Sequence, residues 1–550
     1  MSVWDLSCLD WQDRLRLGKS LVPDLPHLNV AEADRAVSYF NQLCLPDVEG
    51  QPVMRDACGD WFRDAVRALF GSWDAPAKKR HISELFVLVP KKNSKTTNGS
   101  ALMLTALLMN QRPQAEFLLV APTKEIADLA FRQVTGMIHA DKYLSNRFHI
   151  QDHIKCVTDK TNRAFLKVKS FDPSVVTGSK PCGVLIDELH DMSSASYADR
   201  VIGQLRGGLV SQPEGFMVTI TTQSERPPAG VFRSELMTAR MVRDGKLQSP
   251  ILPMLYELPS TCDWRDVRNW PMVLPNIGRS IDVNRLQVLF EQAESKGKEE
   301  VIRWASQHLN VEIGLALVSD RWAGADFWEA QQRDGITLDY LLTRCEVIDI
   351  GIDGGGLDDL LGLNVTGRDR ETKQWLTWSR AWAHPSVLER RKSEAGRFND
   401  FAKDGDLVLV DRIGDDVQEV AEICAKVFES GLLDKIGVDP SGLGSILEAL
   451  EAAGIPKEYV IGISQGWKMT GAIKTAERKL AEGVLIHGGQ PLMAWCVGNC
   501  KVEPRGNAII ITKQASGTAK IDPVLAMLNA VTLMSLNPGA EEKSHWDTPE

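Results

Sequence analysis

Two adjacent acids, Asp187 and Glu188, end an apolar run and are the first residues of the chain that could do chemistry. The run from Pro181 to Ile186 is typical of a buried strand, and ligands of open α/β sheets bind at the carboxyl ends of strands. At such an edge Asp187 would hold Mg²⁺ and Glu188 would polarise an attacking water molecule. The alternative is a helix amino terminus, where the dipole favours acids.

A basic loop upstream carries the residue types of a triphosphate cradle. The run Leu85–Val89 leads into it, and Lys95 and Thr96 precede an apolar, helix-forming stretch. Backbone N–H groups would face the phosphates, Lys95 would neutralise them, and the Thr96 hydroxyl would reach Mg²⁺. Val89 and Ser94 replace both glycines of G-x-x-x-x-G-K-[ST], and such a loop alone is more often a solvated turn. Its pairing with the acids favours a nucleotide site formed by Lys91, Lys92, Asn93, Ser94, Lys95, Thr96, Thr97 and Asp187.

A third apolar run, Phe216–Thr221, ends in hydroxyl and amide side chains. We interpret Thr221, Thr222 and Gln223 as a strand end that senses the γ-phosphate and passes hydrolysis on as movement. The alternative is ordinary strand propensity, since threonine is common in strands.

Three acids in the second half of the chain follow apolar runs or begin a helix. Asp353 follows Val347–Ile352, Asp439 follows Lys435–Val438, and Asp522 precedes a C-terminal helical run. If they converge, their oxygens could bind two Mg²⁺ or Mn²⁺ ions, which would activate water and stabilise the leaving oxygen of a phosphodiester. Any one acid is more often a cap or a turn residue. Asp349, on the same strand face as Asp353, is the fallback for it.

The bulk composition limits the classes of protein that need to be considered. A chain of 550 residues is too long for one ordinary core, and a net charge of −10 argues against a wholly basic surface. Ten scattered cysteines predict reduced thiols rather than disulfides or a zinc site. No run of about 18 apolar residues is present, so we expect a cytosolic protein without a membrane span.

The elements that must position these residues alternate between strand-like and helical runs, which predicts an α/β fold. We expect two α/β domains, the first with a parallel sheet and the second with a mixed sheet. The expected boundaries are an N-terminal segment over 1–50, the first domain over 51–315, a linker over 316–340, the second domain over 341–536 and a tail over 537–550.

The order of motifs in the first half resembles the ATPase of tailed-bacteriophage terminase large subunits. The matching segments are Pro-Lys-Lys-Asn-Ser-Lys-Thr at 90–96, Ile-Asp-Glu-Leu-His at 186–190 and Thr-Ile-Thr-Thr-Gln at 219–223. The resemblance implies a P-loop ATPase in which Glu188 is catalytic and Thr221, Thr222 and Gln223 couple hydrolysis to movement. It also implies an arginine finger, for which Arg200 and Arg206 are the candidates.

The second half resembles the ribonuclease H-like nuclease of the same family. The resemblance rests on Gly351-Ile352-Asp353 with Asp359-Leu360, and on Ile521-Asp522-Pro523-Val524-Leu525-Ala526. It implies that Asp353, Asp439 and Asp522 are the catalytic metal ligands of an endonuclease.

Taken over both halves, the resemblance implies a motor that uses ATP and Mg²⁺ to move double-stranded phage DNA, and a nuclease with two Mg²⁺ or Mn²⁺ ions. The implied partners are a small terminase subunit, the portal of a procapsid and further copies of the chain in a ring, in the cytoplasm of the bacterial host. We expect electrostatic DNA contacts, with Lys78-Lys79-Arg80 and Arg390-Arg391-Lys392 as candidate clusters.

Three other classes of protein remain open at this point. Asp187-Glu188-Leu189-His190 would suit a DExH-type helicase or translocase, which needs a second ATPase-like domain. The three acids alone would suit an integrase-like recombinase, which would leave Lys95 without a role. A capsid or portal-type structural protein would leave both sets of residues without one.

Overall fold

A computed structural model describes residues 4–173, 178–192, 195, 197–259, 261–313, 322–356, 359–391, 394–440, 443–506, 508–513 and 520–539. The chain divides into two compact units: unit 1 is Met1–Ile313 and unit 2 is Gly314–Glu550. The predicted linker region contains short helices within 322–344, and its first residues lie outside the described ones, as does most of the predicted tail.

Among the described residues of unit 1, eight strands form a sheet in the order β10-β3-β9-β8-β4-β7-β6-β5, and β1 pairs with β2. The pairing is parallel from β10 to β7 and antiparallel through β6 and β5. The strands are β1 Trp73–Asp74, β2 Lys79–Arg80, β3 Glu84–Leu88, β4 Glu116–Ala121, β5 Phe148–Gln151, β6 Cys156–Asp159, β7 Phe165–Ser170, β8 Pro181–Asp187, β9 Phe216–Thr221 and β10 Ile251–Leu255.

The helices of unit 1 cover both faces of this sheet, and the strands between them are almost wholly buried. Such continuous apolar strands are expected where a parallel sheet is covered on both sides. The helices are α1 Trp11–Arg16, α2 Val30–Gln42, α3 Met54–Ala57, α4 Asp60–Gly71, α5 Lys95–Met109, α6 Lys124–His139, α7 Lys142–Arg147, α8 Ala198–Leu209, α9 Gly230–Arg243, α10 Val283–Lys296 and α11 Lys298–Leu309.

Unit 2 contains a mixed sheet in the order β14-β13-β12-β11-β15-β16, with β17 beside β13, and a separate β18-β19 hairpin. β11, β12 and β13 are antiparallel, whereas β15 is parallel to β11. The strands are β11 Cys345–Gly354, β12 Leu361–Asp369, β13 Trp375–Ala383, β14 Leu407–Leu409, β15 Leu433–Val438, β16 Val460–Gly462, β17 Leu485–His487, β18 Cys500–Arg505 and β19 Ala508–Lys513.

The helices of unit 2 include one, α20, that is almost completely buried against the sheet. The helices are α12 Ala325–Trp328, α13 Leu338–Arg344, α14 Ser386–Arg390, α15 Ala395–Lys403, α16 Asp415–Glu429, α17 Leu443–Ala452, α18 Thr470–Ala481, α19 Pro491–Gly498 and α20 Asp522–Met534. Short 3-10 helices of both units lie at Asp152–Ile154, Leu189–Met192, Val267–Met272, Glu329–Gln331, Lys457–Tyr459 and Gly466–Met469. No helix of the described ranges is long and apolar enough to cross a bilayer.

Glycines let the backbone of α20 lie directly on the strands of unit 2. A Cβ added to Gly351 would stand 1.9 Å from the Ala526 carbonyl oxygen, and one added to Gly362 would stand 2.8 Å from the Pro523 nitrogen. A Cβ on Gly437 would stand 3.3 Å from the Asn529 carbonyl oxygen, with the side chains of Ile463 and Leu533 at 2.9 and 3.1 Å. Because backbone cannot move aside as a side chain can, these positions fix the helix against β11, β12 and β15.

We therefore predict that Gly351→Ala destabilises unit 2 by about 1–3 kcal/mol, the usual cost of forcing an extra carbon into a packed core. Denaturant unfolding followed by tryptophan fluorescence measures this loss. Gly471→Ala is the matched control, because a Cβ there meets nothing within 4 Å, and it should leave stability unchanged or slightly raised. Equal stability of the two variants would contradict the close packing of α20.

Candidate functional sites

Strand order in unit 1 brings the basic loop to the acid pair. β9 lies between β3 and β8, with Leu88 opposite Thr221 and Asp187 opposite Ile220. The basic loop follows β3, the acids end β8, and the Thr-Thr-Gln segment ends β9, so all three share one edge of the sheet. This is the edge at which parallel sheets bind ligands.

Two direct contacts join the loop to the acids. The Thr96 hydroxyl donates to Asp187 Oδ2 at 2.7 Å, and Lys95 Nζ lies 2.8 Å from Glu188 Oε1. Lys95 and Asp187 are buried, 7% and 2% exposed. Burial and the neighbouring Glu188 raise the pKa of Asp187 to about 6, against the opposing effect of Lys95. Its other oxygen, Oδ1, is buried without a hydrogen-bond partner, which suits a divalent cation held by oxygen ligands.

The loop adopts a left-handed backbone without glycine. Lys92 and Ser94 have φ of 72° and 57°, a region that L-residues enter at a cost. Asn276 braces Ser94 and the residue before it: its amide nitrogen donates to Ser94 Oγ at 3.1 Å, and its backbone N–H donates to Asn93 Oδ1 at 3.1 Å. The Ser280 hydroxyl donates to the Lys92 carbonyl.

Neither Asn276 nor Ser280 was predicted from the sequence, because they lie some 180 positions downstream of the loop and belong to no motif. Among the other predicted nucleotide residues, Lys91 donates its backbone N–H to the Gln307 carbonyl at 2.8 Å, and Thr97 stands in the first turn of α5. These contacts hold the whole loop at the amino terminus of α5, where phosphate is favoured.

His190 connects the acid pair to the end of β9. Its ring nitrogen Nδ1 lies 3.4 Å from Glu188 Oε2 and 3.1 Å from Thr221 Oγ1. Burial lowers the pKa of this imidazole. Gln223, at the far end of the segment, donates its backbone N–H to Asn310 Oδ1 at 3.0 Å. His190 belongs to the sequence motif Ile-Asp-Glu-Leu-His at 186–190, but its hydrogen bond with Thr221 is apparent only from the fold.

The two arginine-finger candidates lie on α8. Arg206 donates to Glu84 Oε1 and Oε2 at 2.8 and 2.7 Å, and also to Glu235. Glu84 begins β3, at the opposite end of that strand from the basic loop, so the structure does not bring Arg206 to the loop. Arg200 is exposed on the same helix.

Of the two candidate DNA-binding clusters, the structure describes the first completely and the second in part. Arg80 is not a free surface cation, because it donates to the carbonyls of Glu214 and Leu69 and lies over the rings of Phe70 and Phe216. In the second cluster, residue 392 lies outside the described residues.

In unit 2, the register of β11 and β15 and the packing of α20 on one face of the sheet bring the predicted acids to one edge. Gly351 is opposite Gly437 in the parallel pair β11–β15, and a Cβ on either would face α20. Asp353 comes two residues later in β11, where alternation returns it to this face, and Asp439 directly follows the end of β15, the neighbouring strand about 4.8 Å away. Asp522 begins α20, and its Cβ is 3.3 Å from where a Cβ of Gly354 would stand.

The three carboxylates share this edge without forming a finished metal shell. No group of three His, Cys, Asp or Glu side chains in the described ranges stands ready to hold one ion. The donor chemistry fits Mg²⁺ or Mn²⁺, which prefer carboxylate oxygens, and the side chains would have to turn toward one another to share the ions.

A buried lysine and a buried asparagine adjoin this edge and were missed by the sequence reasoning. Lys520, 0% exposed, forms an ion pair with Asp359, although lysine is almost never fully buried unless it is paired. The Asn529 side chain donates to the Ile352 carbonyl at 2.9 Å, one residue before Asp353. Lys520 could have been suspected from its position next to Asp522, whereas Asn529 carries no sequence signal beyond its polar place in an apolar helix.

Asp349, the fallback for Asp353, lies inside the sheet rather than at its edge. It is fully buried, its Oδ1 accepts from the Lys435 backbone N–H at 3.2 Å, and its Oδ2 has no hydrogen-bond partner. Burial, with a contribution from nearby Asp434, raises the pKa of Asp349 to about 8. Asp349 lies four residues before Asp353 within β11, away from the end of the strand that Asp522 approaches.

Comparison with known families assigns each half of the chain. Residues 60–231 match the family model described as terminase large subunit, ATPase domain, and residues 252–537 match that described as terminase large subunit, endonuclease domain. The second half is therefore neither a second helicase-like ATPase nor part of a capsid protein.

Curated relatives and a solved structure share low identity with the chain over most of its length. Protein YmfN of Escherichia coli is 20% identical over 64% of this chain and 77% of its own length. The large subunit of the terminase of Enterobacteria phage HK97 is 20% identical over 93% of this chain and 96% of its own. The crystal structure of the HK97 bacteriophage large terminase covers 91% of this chain and 99% of its own at 19% identity, with a TM-score of 0.47.

We predict that Asn276→Ala weakens ATP binding roughly tenfold, because the left-handed loop loses a brace worth about 1–1.5 kcal/mol. Steady-state ATPase assays should report this as a raised KM with a smaller change in kcat. Asn284→Ala, an exposed substitution in α10, is the control. An unchanged KM would contradict the bracing role of Asn276.

We also predict that unit 2 loses stability as pH rises between about 4 and 8. Over this window the native protein keeps a proton on Asp349 that the unfolded chain, with the ordinary aspartate pKa of about 3.8, has released. Asp349→Asn keeps the acceptor for Lys435 and should flatten this part of the profile, with its largest gain in stability at pH 8. Parallel profiles of unfolding free energy for both proteins would contradict the raised pKa.

Proposed function

The chain belongs to the terminase large subunit family, with an ATPase domain and an endonuclease domain, and on that premise we propose that it packages DNA. Hydrolysis of ATP in unit 1 would drive double-stranded DNA into a procapsid, and unit 2 would cut concatemeric DNA when packaging begins and ends. The observation that carries the proposal is the joint contact of Lys95 with Glu188 and of Thr96 with Asp187 at one sheet edge.

In the ATPase, Lys95 and Glu188 form an ion pair in the absence of nucleotide. A triphosphate on the loop would compete for Lys95, because the phosphates carry more negative charge than a single carboxylate. Glu188 would then be free to orient the attacking water. Thr96 and Asp187 would hold the Mg²⁺, which would neutralise charge on the phosphates.

Release of Glu188 would reach the end of β9 through His190. Because the imidazole lies within 3.4 Å of both Glu188 and Thr221, a shift of the carboxylate changes the hydrogen bonds of the ring. Thr221, Thr222 and Gln223 would pass that change to Asn310, which receives the Gln223 N–H and donates to the Tyr256 carbonyl at 2.9 Å. Arg200, exposed on α8, is the proposed arginine finger.

In the nuclease, Asp353, Asp439 and Asp522 would hold two Mg²⁺ or Mn²⁺ ions, which supply an activated water and stabilise the leaving oxygen. Lys520 would offset the negative charge that the three acids place at this edge, and its pairing with Asp359 keeps the ammonium group fixed there. Asn529 would hold the end of β11, and with it Asp353, through the Ile352 carbonyl.

The proposed partners are double-stranded phage DNA, a small terminase subunit, the portal protein of a procapsid and further copies of this chain in a ring. The proposed location is the cytoplasm of the bacterial host.

The two activities should separate by mutation. We predict that Lys95→Ala lowers ATP turnover at least a hundredfold while Mn²⁺-dependent plasmid cleavage persists, and that Asp353→Ala does the reverse. Lys296→Ala, an exposed lysine at the end of α10, is the control for loss of a positive charge and should retain both activities.

Loss of both activities in either single variant would argue against two separate sites. Loss of neither in Lys95→Ala would exclude the loop as the phosphate site.

A further inference from the structure

Trp467 stands out among the tryptophans because it faces solvent. It is 62% exposed, whereas every other described tryptophan is buried or half-buried. Large aromatic side chains bury more apolar area than any others, so leaving one in water forgoes stability. Lys468 follows it, with Nζ 5.8 Å from the indole ring.

The segment that carries Trp467 is anchored on both sides. Before it, Gln465 Nε2 donates to Asn529 Oδ1 at 3.1 Å. After it, the Thr470 hydroxyl donates to the Ile509 carbonyl at 3.0 Å and accepts the Ile509 N–H at 3.1 Å. Met469 is buried, 4% exposed. A turn fixed in this way holds the indole outward.

The same contacts place the segment at the edge that carries the three acids. The Ile463 N–H donates to the Val438 carbonyl at 2.8 Å, one residue before Asp439. Asn529, the partner of Gln465, donates to the Ile352 carbonyl, one residue before Asp353. Trp467 therefore projects from a segment that is hydrogen-bonded to β11 next to Asp353, through Asn529, and to β15 next to Asp439.

The charge of the surrounding sequence suits a polyanion. Between Glu458 and Glu477 the chain contains Lys468 and Lys474 and no acidic residue, although the whole protein has a net charge of −10. Lys468 and Lys474 are both exposed.

We propose that Trp467 and Lys468 form a binding site for an unpaired nucleotide next to the DNA cut, with the indole stacked on the base and the ammonium on a phosphate. An indole can stack only on a base whose face is open, and inside a duplex both faces are covered by neighbours. The site would therefore make the nuclease favour DNA with locally unpaired bases. This inference rests on the proposed nuclease function of unit 2.

The test uses the full chain without divalent metal ions, so that DNA is not cut. The probes are a duplex with a short central mismatch bubble carrying 2-aminopurine and the fully paired duplex of otherwise equal sequence. We expect the wild type to bind the bubble more tightly and to quench the 2-aminopurine. Trp467→Ala should bind the bubble about tenfold more weakly without quenching, and Trp467→Phe should retain most of both effects. Phe327→Ala, which removes a side chain that is 40% exposed in α12, should behave as the wild type.

Equal binding and quenching by Trp467→Ala and the wild type, or no preference of the wild type for the bubble, would overturn the inference. Mn²⁺-dependent plasmid cleavage by the wild type separates this failure from a larger one. If the wild type cuts plasmid and Trp467→Ala binds the bubble duplex as tightly as the wild type, only the inference about Trp467 is wrong. If the wild type cuts no DNA, the proposed nuclease function falls with it.

Discussion

The register of neighbouring parallel strands is the constraint on which both candidate sites depend. In unit 1 it aligns the ends of β3, β9 and β8, so that Lys95 meets Glu188 and Thr96 meets Asp187 across the intervening strand. In unit 2 it aligns Gly351 with Gly437, so that the ends of β11 and β15 bring Asp353 and Asp439 to the same edge. A shift of one residue in either sheet would send these side chains to the opposite face.

Close backbone packing positions the candidate site of unit 2, whereas side-chain hydrogen bonds position that of unit 1. The glycines under α20 let Asp522, at the first turn of that helix, approach the end of β11. The basic loop of unit 1 lacks glycine and instead takes its left-handed shape with support from Asn276 and Ser280. Both arrangements restrict the backbone before any ligand binds, which reduces the entropy lost on binding.

Much of this could be predicted from the sequence, because buried strands are short apolar runs with punctuated ends. The run Phe216–Thr221 is a strand with those bounds. The apolar run Pro523–Met534 predicts a helix, and α20 begins one residue earlier. The run Trp375–Trp378 predicts a strand, and β13 extends beyond it to Ala383. Trp382 and Ala383 are as buried as the start of the strand, and only Ser379 and Arg380 break the apolar pattern. The braces on the loop, the role of His190 and the burial of Lys520 and Asn529 depend on residues far apart in the chain. Local patterns carry no information about such contacts, and the same is true of Arg206, which two carboxylates hold away from the loop.

The most direct test of two separate sheet-edge sites is a crystal structure with Mn²⁺ and a non-hydrolysable ATP analogue, read by anomalous scattering. The account predicts one manganese beside Thr96 and Asp187, with the γ-phosphate on Lys95 in place of Glu188. It also predicts two further ions, about 4 Å apart, bound by Asp353, Asp439 and Asp522. Nucleotide bound away from the loop, or manganese absent from the three carboxylates with their side chains turned apart, would contradict it.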